Sequence, residues 1–128
     1  VVPDSDAWRR LRHLLSSSDT AVRENTCLVI LRVTSGNKEL SRAAIEAGIV
    51  SAIIQFVADA NPDIRRYAVP AVSNATKFGE PEEVRTWIPL VLSLLENSNS
   101  AAGTKELLQI LRISLSAVTR MRRCKGRR

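Results

Sequence analysis

Two sets of segments recur in this chain at shared offsets, and that repetition restricts the possible folds more than any single residue does. LLSSSDTAV from Leu14, FVADANPDI from Phe56 and LLENSNSAA from Leu94 stand 42 and then 38 residues apart. LVILRVTSG from Leu28, PAVSNATKF from Pro70 and LQILRISLS from Leu108 repeat the same spacing. A period near 40 residues is the length of a helical repeat unit. One such unit cannot bury its apolar face alone, so neighbours stack and about three are needed for a stable array.

Each unit has the same grammar: an apolar helix, a turn rich in Ser, Asp and Asn, then a longer helix. Ser18 or Asp19, Asn61, and Ser98 or Asn99 are the expected N-caps, because their side-chain oxygens accept the free N–H groups of a first helical turn. In the first long helix Val22, Thr26, Val29, Ile30 and Val33 fall at helical spacing. Shifted by one unit they become Ile64, Ala68, Ala71, Val72 and Ala75, a single face predicted to be buried. Shifted again they become Ala102, Glu106, Gln109, Ile110 and Ile113, with two polar residues on that face. Either the last unit is a water-facing cap, or the register slips and Leu107, Leu111 and Leu115 point inward. Short first helices are expected at Lys38–Ala47 and Pro81–Arg85, with Ala47-Gly48 ending the former and Pro89 in the first turn of the helix after the latter. Pro70 falls mid-helix, where a kink or a split is expected. No Asn-Gly or Asp-Gly hairpin turn separates the apolar runs, so strands are not expected.

Composition agrees. The chain is 45% hydrophobic but only 4% aromatic, so Leu, Ile, Val and Ala must fill the core. The formal net charge of +6 is confined to Arg120–Arg128, which holds Arg120, Arg122, Arg123, Lys125, Arg127 and Arg128 and no acid. The remainder is formally neutral. This stretch is read as a disordered basic tail that could bind nucleic acid through salt-sensitive phosphate contacts, although no aromatic is interleaved for base stacking. Arg9, Arg10 and Arg12 beside Trp8 read as the wet face of a helix.

Cys27 and Cys124 are too few for a disulfide framework or a zinc site, and Cys27 reads as a small core residue. Intracellular, cytoplasmic or nuclear, localisation is the expectation from this cysteine usage and the lack of a signal-peptide pattern. The apolar runs around Gly48–Ala58 and Trp87–Leu95 are too short for a membrane span. Opening on Val, the chain reads as a processed product or a fragment. No enzyme is expected: His13 has no paired nucleophile, the adjacent Glu82 and Glu83 diverge on a helix, and no P-loop, HExxH or GxSxG motif occurs. No cofactor or metal is expected.

The stretch Thr34–Thr76, with Ser35-Gly36-Asn37, Ile45-Glu46-Ala47-Gly48-Ile49-Val50 and Ala71-Val72-Ser73-Asn74, resembles an armadillo repeat, and the middle unit looks closest to importin-α. The pattern extends over residues 6–119 in units of about 6–34, 37–77 and 81–119. The resemblance implies an all-α fold, a right-handed α-solenoid of about three armadillo-type repeats. It also implies that the third helix of each unit lines a groove for an extended peptide, with Asn pairing to the peptide backbone and Trp shelves for basic side chains. The Asn position holds Asn74 but Arg32 and Arg112 in the flanking units. The Trp position holds Leu28, Pro70 and Leu108. The predicted groove stripe is thus Asn25, Leu28, Arg32, Tyr67, Pro70, Asn74, Lys105, Leu108 and Arg112. It carries three cations and no acid, so an extended acidic or phosphorylated peptide is the expected ligand. The alternatives are an engineered array with no ligand of its own, and nucleic-acid binding by the tail. Exposed repeat ends are candidate homodimer surfaces, and no membrane contact is expected.

Overall fold

The computed structural model describes residues 5–97 and 103–126. Among these every regular element is helical. The order is α1 (Ser5–Leu15), α2 (Thr20–Thr34), α3 (Lys38–Glu46), α4 (Ile49–Ile53) continued by a 3-10 segment (Ile54–Ala58), α5 (Pro62–Phe78), α6 (Pro81–Asn97) and α7 (Thr104–Gly126). The long helices α2, α5 and α7 pack in series, one per unit, against a second row of α1, α4 with its 3-10 segment, and α6. Ile30, Ile53, Ile54, Val57, Ile64, Val72, Val84 and Ile110 fill the space between the rows.

The caps follow local chemistry. Asp19 accepts from the Ala21 N–H at 2.9 Å, and Asn61 accepts from the Asp63 N–H at 2.8 Å, with Pro62 opening α5 where its missing N–H costs nothing. Asn37 caps α3 through the Leu40 N–H. Gly48 takes a left-handed φ of 79° between α3 and α4, as the Ala47-Gly48 stop predicts. Ser98 and Asn99 lie outside the described residues, and α7 opens instead at Thr104, after Gly103 with a φ of 84°.

Several expectations are corrected. The last unit has no short first helix at Pro81–Arg85: α6 is one continuous helix, and Pro89 lies inside it. The Pro89 ring is exposed, while Val84, Trp87 and Val91 are buried on either side of it and anchor both flanks of the helix. Pro70 likewise does not split α5, because Ala68, Ala71 and Val72 anchor both flanks. Val29 points outward at 46% exposure; Cys27 and Thr34 take the inward positions. The Thr34 hydroxyl donates to the carbonyls of Ile30 and Leu31, so its burial leaves no polar group stranded.

In α7 neither expected register holds. Leu107, Ile110, Ser114, Ala117 and Val118 are buried, Gln109 is exposed, Glu106, Leu111 and Ile113 are half-buried, and Leu115 is 49% exposed. Ala102 lies outside the described residues. The helix also runs on to Gly126, so the stretch read as a disordered tail from Arg120 is helical to that point. The middle unit, by contrast, buries all five of its predicted residues. Among the described residues no single helix is long and apolar enough to cross a membrane.

One ion-pair cluster ties the second unit to the third. The Arg42 guanidinium on α3 donates to Glu83 Oε1 at 2.6 Å, to the Phe78 carbonyl at 3.0 Å and to Glu46 at 3.1 Å. Glu83 also accepts from the Glu80 N–H at 2.7 Å, closing the first turn of α6. The hydrogen bond from Arg42 is the main reason the Glu83 carboxyl titrates below its ordinary value.

Candidate functional site

The side-by-side packing of α2, α5 and α7 places the nine predicted groove residues on three neighbouring helices. Their environments differ. On α2, Leu28 is half-buried and Arg32 exposed; with Val29, Val33 and Leu40 they line a shallow, mostly apolar hollow. Asn25 is exposed, but its amide donates to the Ala21 carbonyl at 2.9 Å, one turn back in its own helix.

On α5, Tyr67 is already covered. The Arg66 guanidinium carbon lies 5.4 Å from its ring centroid, a cation–π distance, and Arg66 is held there by Asp63 at 2.9 Å. Pro70 lines a second hollow with Pro62, Arg65, Arg66, Val69 and Glu106. Arg65 crosses to Glu106 on α7 at 3.8 Å and also donates to the Asp59 carbonyl. Asn74 is half-buried, and its amide makes no hydrogen bond to the described residues. It therefore differs from Asn25: both its donor and its acceptor are free for a peptide backbone.

On α7, Lys105 and Arg112 are exposed and Leu108 is 52% exposed. A third hollow is lined by Arg112, Ile113, Leu115, Ser116, Thr119 and Arg120. Arg32, Lys105 and Arg112 form no ion pair among the described residues, so three cations of this surface are uncompensated. Acids are nonetheless near. Glu24 attracts Arg66, and Glu106 and Asp63 are spent on Arg65 and Arg66.

Sequence reasoning missed Arg66, Ser116 and Thr119. Arg66 had a signal, being next to Tyr67 and three residues after Asp63. Ser116 and Arg120 follow Arg112 at successive four-residue steps and so share its side of the helix. Of the basic stretch, Arg120 is exposed. Arg122, Arg123 and Lys125 belong to the helical segment without described side chains, and Arg127 and Arg128 lie outside the described residues. Cys27 is fully buried, and burial pushes its thiol up to about 12. His13 is exposed, and no group of His, Cys, Asp or Glu among the described residues could hold a metal ion.

No family model matches this chain, and no curated protein does. Solved structures do. A designed armadillo repeat protein superposes with a TM-score of 0.62 at 24% identity, over 88% of this chain and 47% of its own. The fold is an armadillo-type α-solenoid. A crystal structure of an engineered protein also matches with a TM-score of 0.62, at 18% identity, over 88% of this chain and 50% of that one. The chain spans about half the length of each. The armadillo unit is complete in the middle, where α3, α4 with its 3-10 segment, and α5 give three helices. In the last unit the single helix α6 stands where two are expected.

Proposed function

We propose that this solenoid is a protein-binding module that holds an extended acidic peptide across α2, α5 and α7. The observation that carries the reading is the row of uncompensated cations, Arg32, Lys105 and Arg112, flanking an Asn74 amide with no hydrogen bond to the described residues. Guanidinium groups clamp carboxylates and phosphates in pairs of hydrogen bonds, and a side-chain amide can both donate to and accept from a peptide unit. The apolar hollow at Leu28, Val29 and Val33 would take one uncharged side chain of such a peptide. Basic peptides of the importin-α type fit poorly. The shelf positions are Leu28, Pro70 and Leu108, and the one nearby aromatic, Tyr67, already carries Arg66.

The test is a fluorescence-anisotropy titration, with matched acidic and basic peptides of one length, of the chain in which Arg122, Arg123, Lys125, Arg127 and Arg128 are replaced by Gln, which removes the terminal charge but keeps α7 and Arg120. Acidic peptides should bind more tightly, with affinity falling as salt rises. Asn74→Ala should weaken binding by about 1 kcal/mol, the net value of a typical hydrogen bond. Tighter binding of the basic peptide overturns the reading. A second reading, an array with no ligand of its own, draws on the loss of Asn at Arg32 and Arg112; it predicts no saturable binding of either peptide.

A further inference from the structure

The three long helices begin at Thr20, Pro62 and Thr104, at equal intervals of 42 residues. At that interval the buried Ala68, Val72, Ala75 and Thr76 of α5 correspond to Ile110, Ser114, Ala117 and Val118 of α7, and these four are buried as well. Ile64 and Ala71 correspond to the half-buried Glu106 and Ile113. Burial therefore fixes the register of the last unit. In this register Arg112 stands where α5 has Pro70, Ser116 where it has Asn74, and Arg120 where it has Phe78. Pro70 and Asn74 stay half-open although a long helix packs on each side of α5. The matching side of α7 is thus one that stacking of units leaves open.

Four polar groups share that side. Arg112, Ser116, Thr119 and Arg120 lie within about 100° of one another around α7. They line one hollow, and all four are exposed. Arg112 and Arg120 stand about 12 Å apart along the axis with Ser116 midway, so each guanidinium has to span about 6 Å to meet the other above the hydroxyl. Neither forms an ion pair among the described residues, and α7 carries no acid beyond Glu106. The hydroxyls are equally uncommitted. Those of Thr26, Thr34, Thr76 and Thr86 each donate to a carbonyl of their own helix. Those of Ser116 and Thr119 make no hydrogen bond to the described residues.

We propose that Arg112, Ser116, Thr119 and Arg120 form a phosphate subsite, and that it takes a phosphoserine or phosphothreonine side chain of the extended peptide. The proposal rests on the peptide reading and narrows it. A carboxylate presents two oxygens in one plane, which a single guanidinium satisfies. A phosphoryl monoester presents three oxygens in a tetrahedral array and close to two negative charges, which two guanidiniums and a hydroxyl match. A phosphodiester of nucleic acid keeps one charge and two free oxygens, and α7 holds no aromatic residue on which a base could stack.

The experiment titrates the chain with its terminal cations replaced by Gln, as in the peptide titration, with one labelled acidic peptide in three versions. These carry phosphoserine, Glu or Ser at the same central position. The phosphoserine version should bind about tenfold more tightly than the Glu version. Free phosphoserine should shift the Nε–Hε NMR signals of Arg112 and Arg120. Arg112→Gln and Arg120→Gln should each cut the phosphoserine advantage to about threefold or less, and Ser116→Ala should reduce it, all with unchanged helical circular dichroism. Arg10→Gln on α1, an equally exposed cation, should leave it intact. An advantage that survives the double arginine substitution, or that Arg10→Gln erases, overturns the proposal, as does a single-stranded oligothymidylate that outcompetes the phosphopeptide. Acidic peptides that bind alike with and without the phosphate overturn the subsite and leave the peptide reading standing. Failure of every peptide to bind, with Arg112 and Arg120 still answering to free phosphoserine, removes the peptide reading and supports the subsite by itself.

Discussion

Three glycines separate two reasons why a side chain can be intolerable. Gly103 has a φ of 84°, and a Cβ built there would lie 2.6 Å from the Ala58 Cα and 2.9 Å from its Cβ. Gly48 has a φ of 79° but open space around its Cβ position, with nothing within 4 Å. Gly36 has open space and no positive φ. Left-handed backbone costs a residue with a Cβ about 1–2 kcal/mol. Forcing a methyl into packed backbone costs a further ~1–3 kcal/mol. Gly48→Ala should thus lose about 1–2 kcal/mol and Gly103→Ala about 2–5 kcal/mol. Gly36→Ala should gain up to about 1 kcal/mol by restricting the unfolded chain. For a chain of this length about 4 °C of melting temperature corresponds to 1 kcal/mol. Thermal unfolding followed by circular dichroism at the helical minimum gives all three values. The contact with Ala58 is the basis of the larger loss, because it fixes where α7 begins against the 3-10 segment. If Gly103→Ala costs no more than Gly48→Ala, that close approach does not exist and the placement of the last unit is wrong.

Pro70→Ala should raise the melting temperature, since it restores an N–H donor inside α5 and removes a ring clash worth up to about 3 kcal/mol; a lower value would mean the ring's packing outweighs both. In a Cys124→Ser background, Cys27 should not react with a thiol reagent at neutral pH while the chain is folded, because its thiol is buried and raised to about 12; rapid labelling would refute its core position. Arg42→Ala removes three hydrogen-bond partners from a partly exposed cluster and, discounted for solvent screening, should cost about 1.5–2.5 kcal/mol. Because the folded Glu83 titrates below its ordinary value, its contribution is complete above the unfolded carboxylate pKa of about 4.3 and is lost as pH falls from there through the folded value. The stability gap between wild type and Glu83→Gln should close over that interval, and a gap unchanged in acid would exclude the ion pair as its source.

The middle unit was legible because its apolar residues occupy one helical side and no other: Ile64, Ala68, Ala71, Val72 and Ala75 are all buried. In α7 the same reasoning loses its footing. Leu107, Leu108, Leu111 and Leu115 lie within about 100° of one another, but Ile110 and Ile113 widen the apolar arc to more than half of the helix, so hydrophobicity cannot choose a side. The helix even inverts the rule, burying Ser114 and exposing Leu108. In α6 the error was to treat Pro89 as punctuation, when its ring lies in solvent and packing on both flanks carries the helix through. The candidate site divides in the same way. The exposure of Arg32, Lys105 and Arg112 follows from knowing which side of each helix is buried. The occupation of Tyr67 by Arg66, and of Glu106 by Arg65, depends on distances between side chains that residue spacing does not reveal.

The charge pattern of the three long helices has two possible origins, and position along the helix separates them. Acids are favoured in the first turn and bases in the last, by the partial charges of unsatisfied backbone groups, and that preference fades within a turn. Asp63 and Glu106 lie in first turns, and Arg32 lies in the last turn of α2. Helix electrostatics alone accounts for these three. It does not account for Arg112, which sits in the second turn or beyond from both ends of α7, where the backbone hydrogen bonds are complete. No acid pairs with it among the described residues, and Ser116 and Arg120 continue its side of the helix. Replacing Arg32 would therefore disturb helix stability and ligand contact together. Replacing Arg112 touches the ligand contact alone, which makes Arg112→Glu the variant whose effect on acidic-peptide affinity, at constant melting temperature, separates a binding surface from a set of well-placed helix ends.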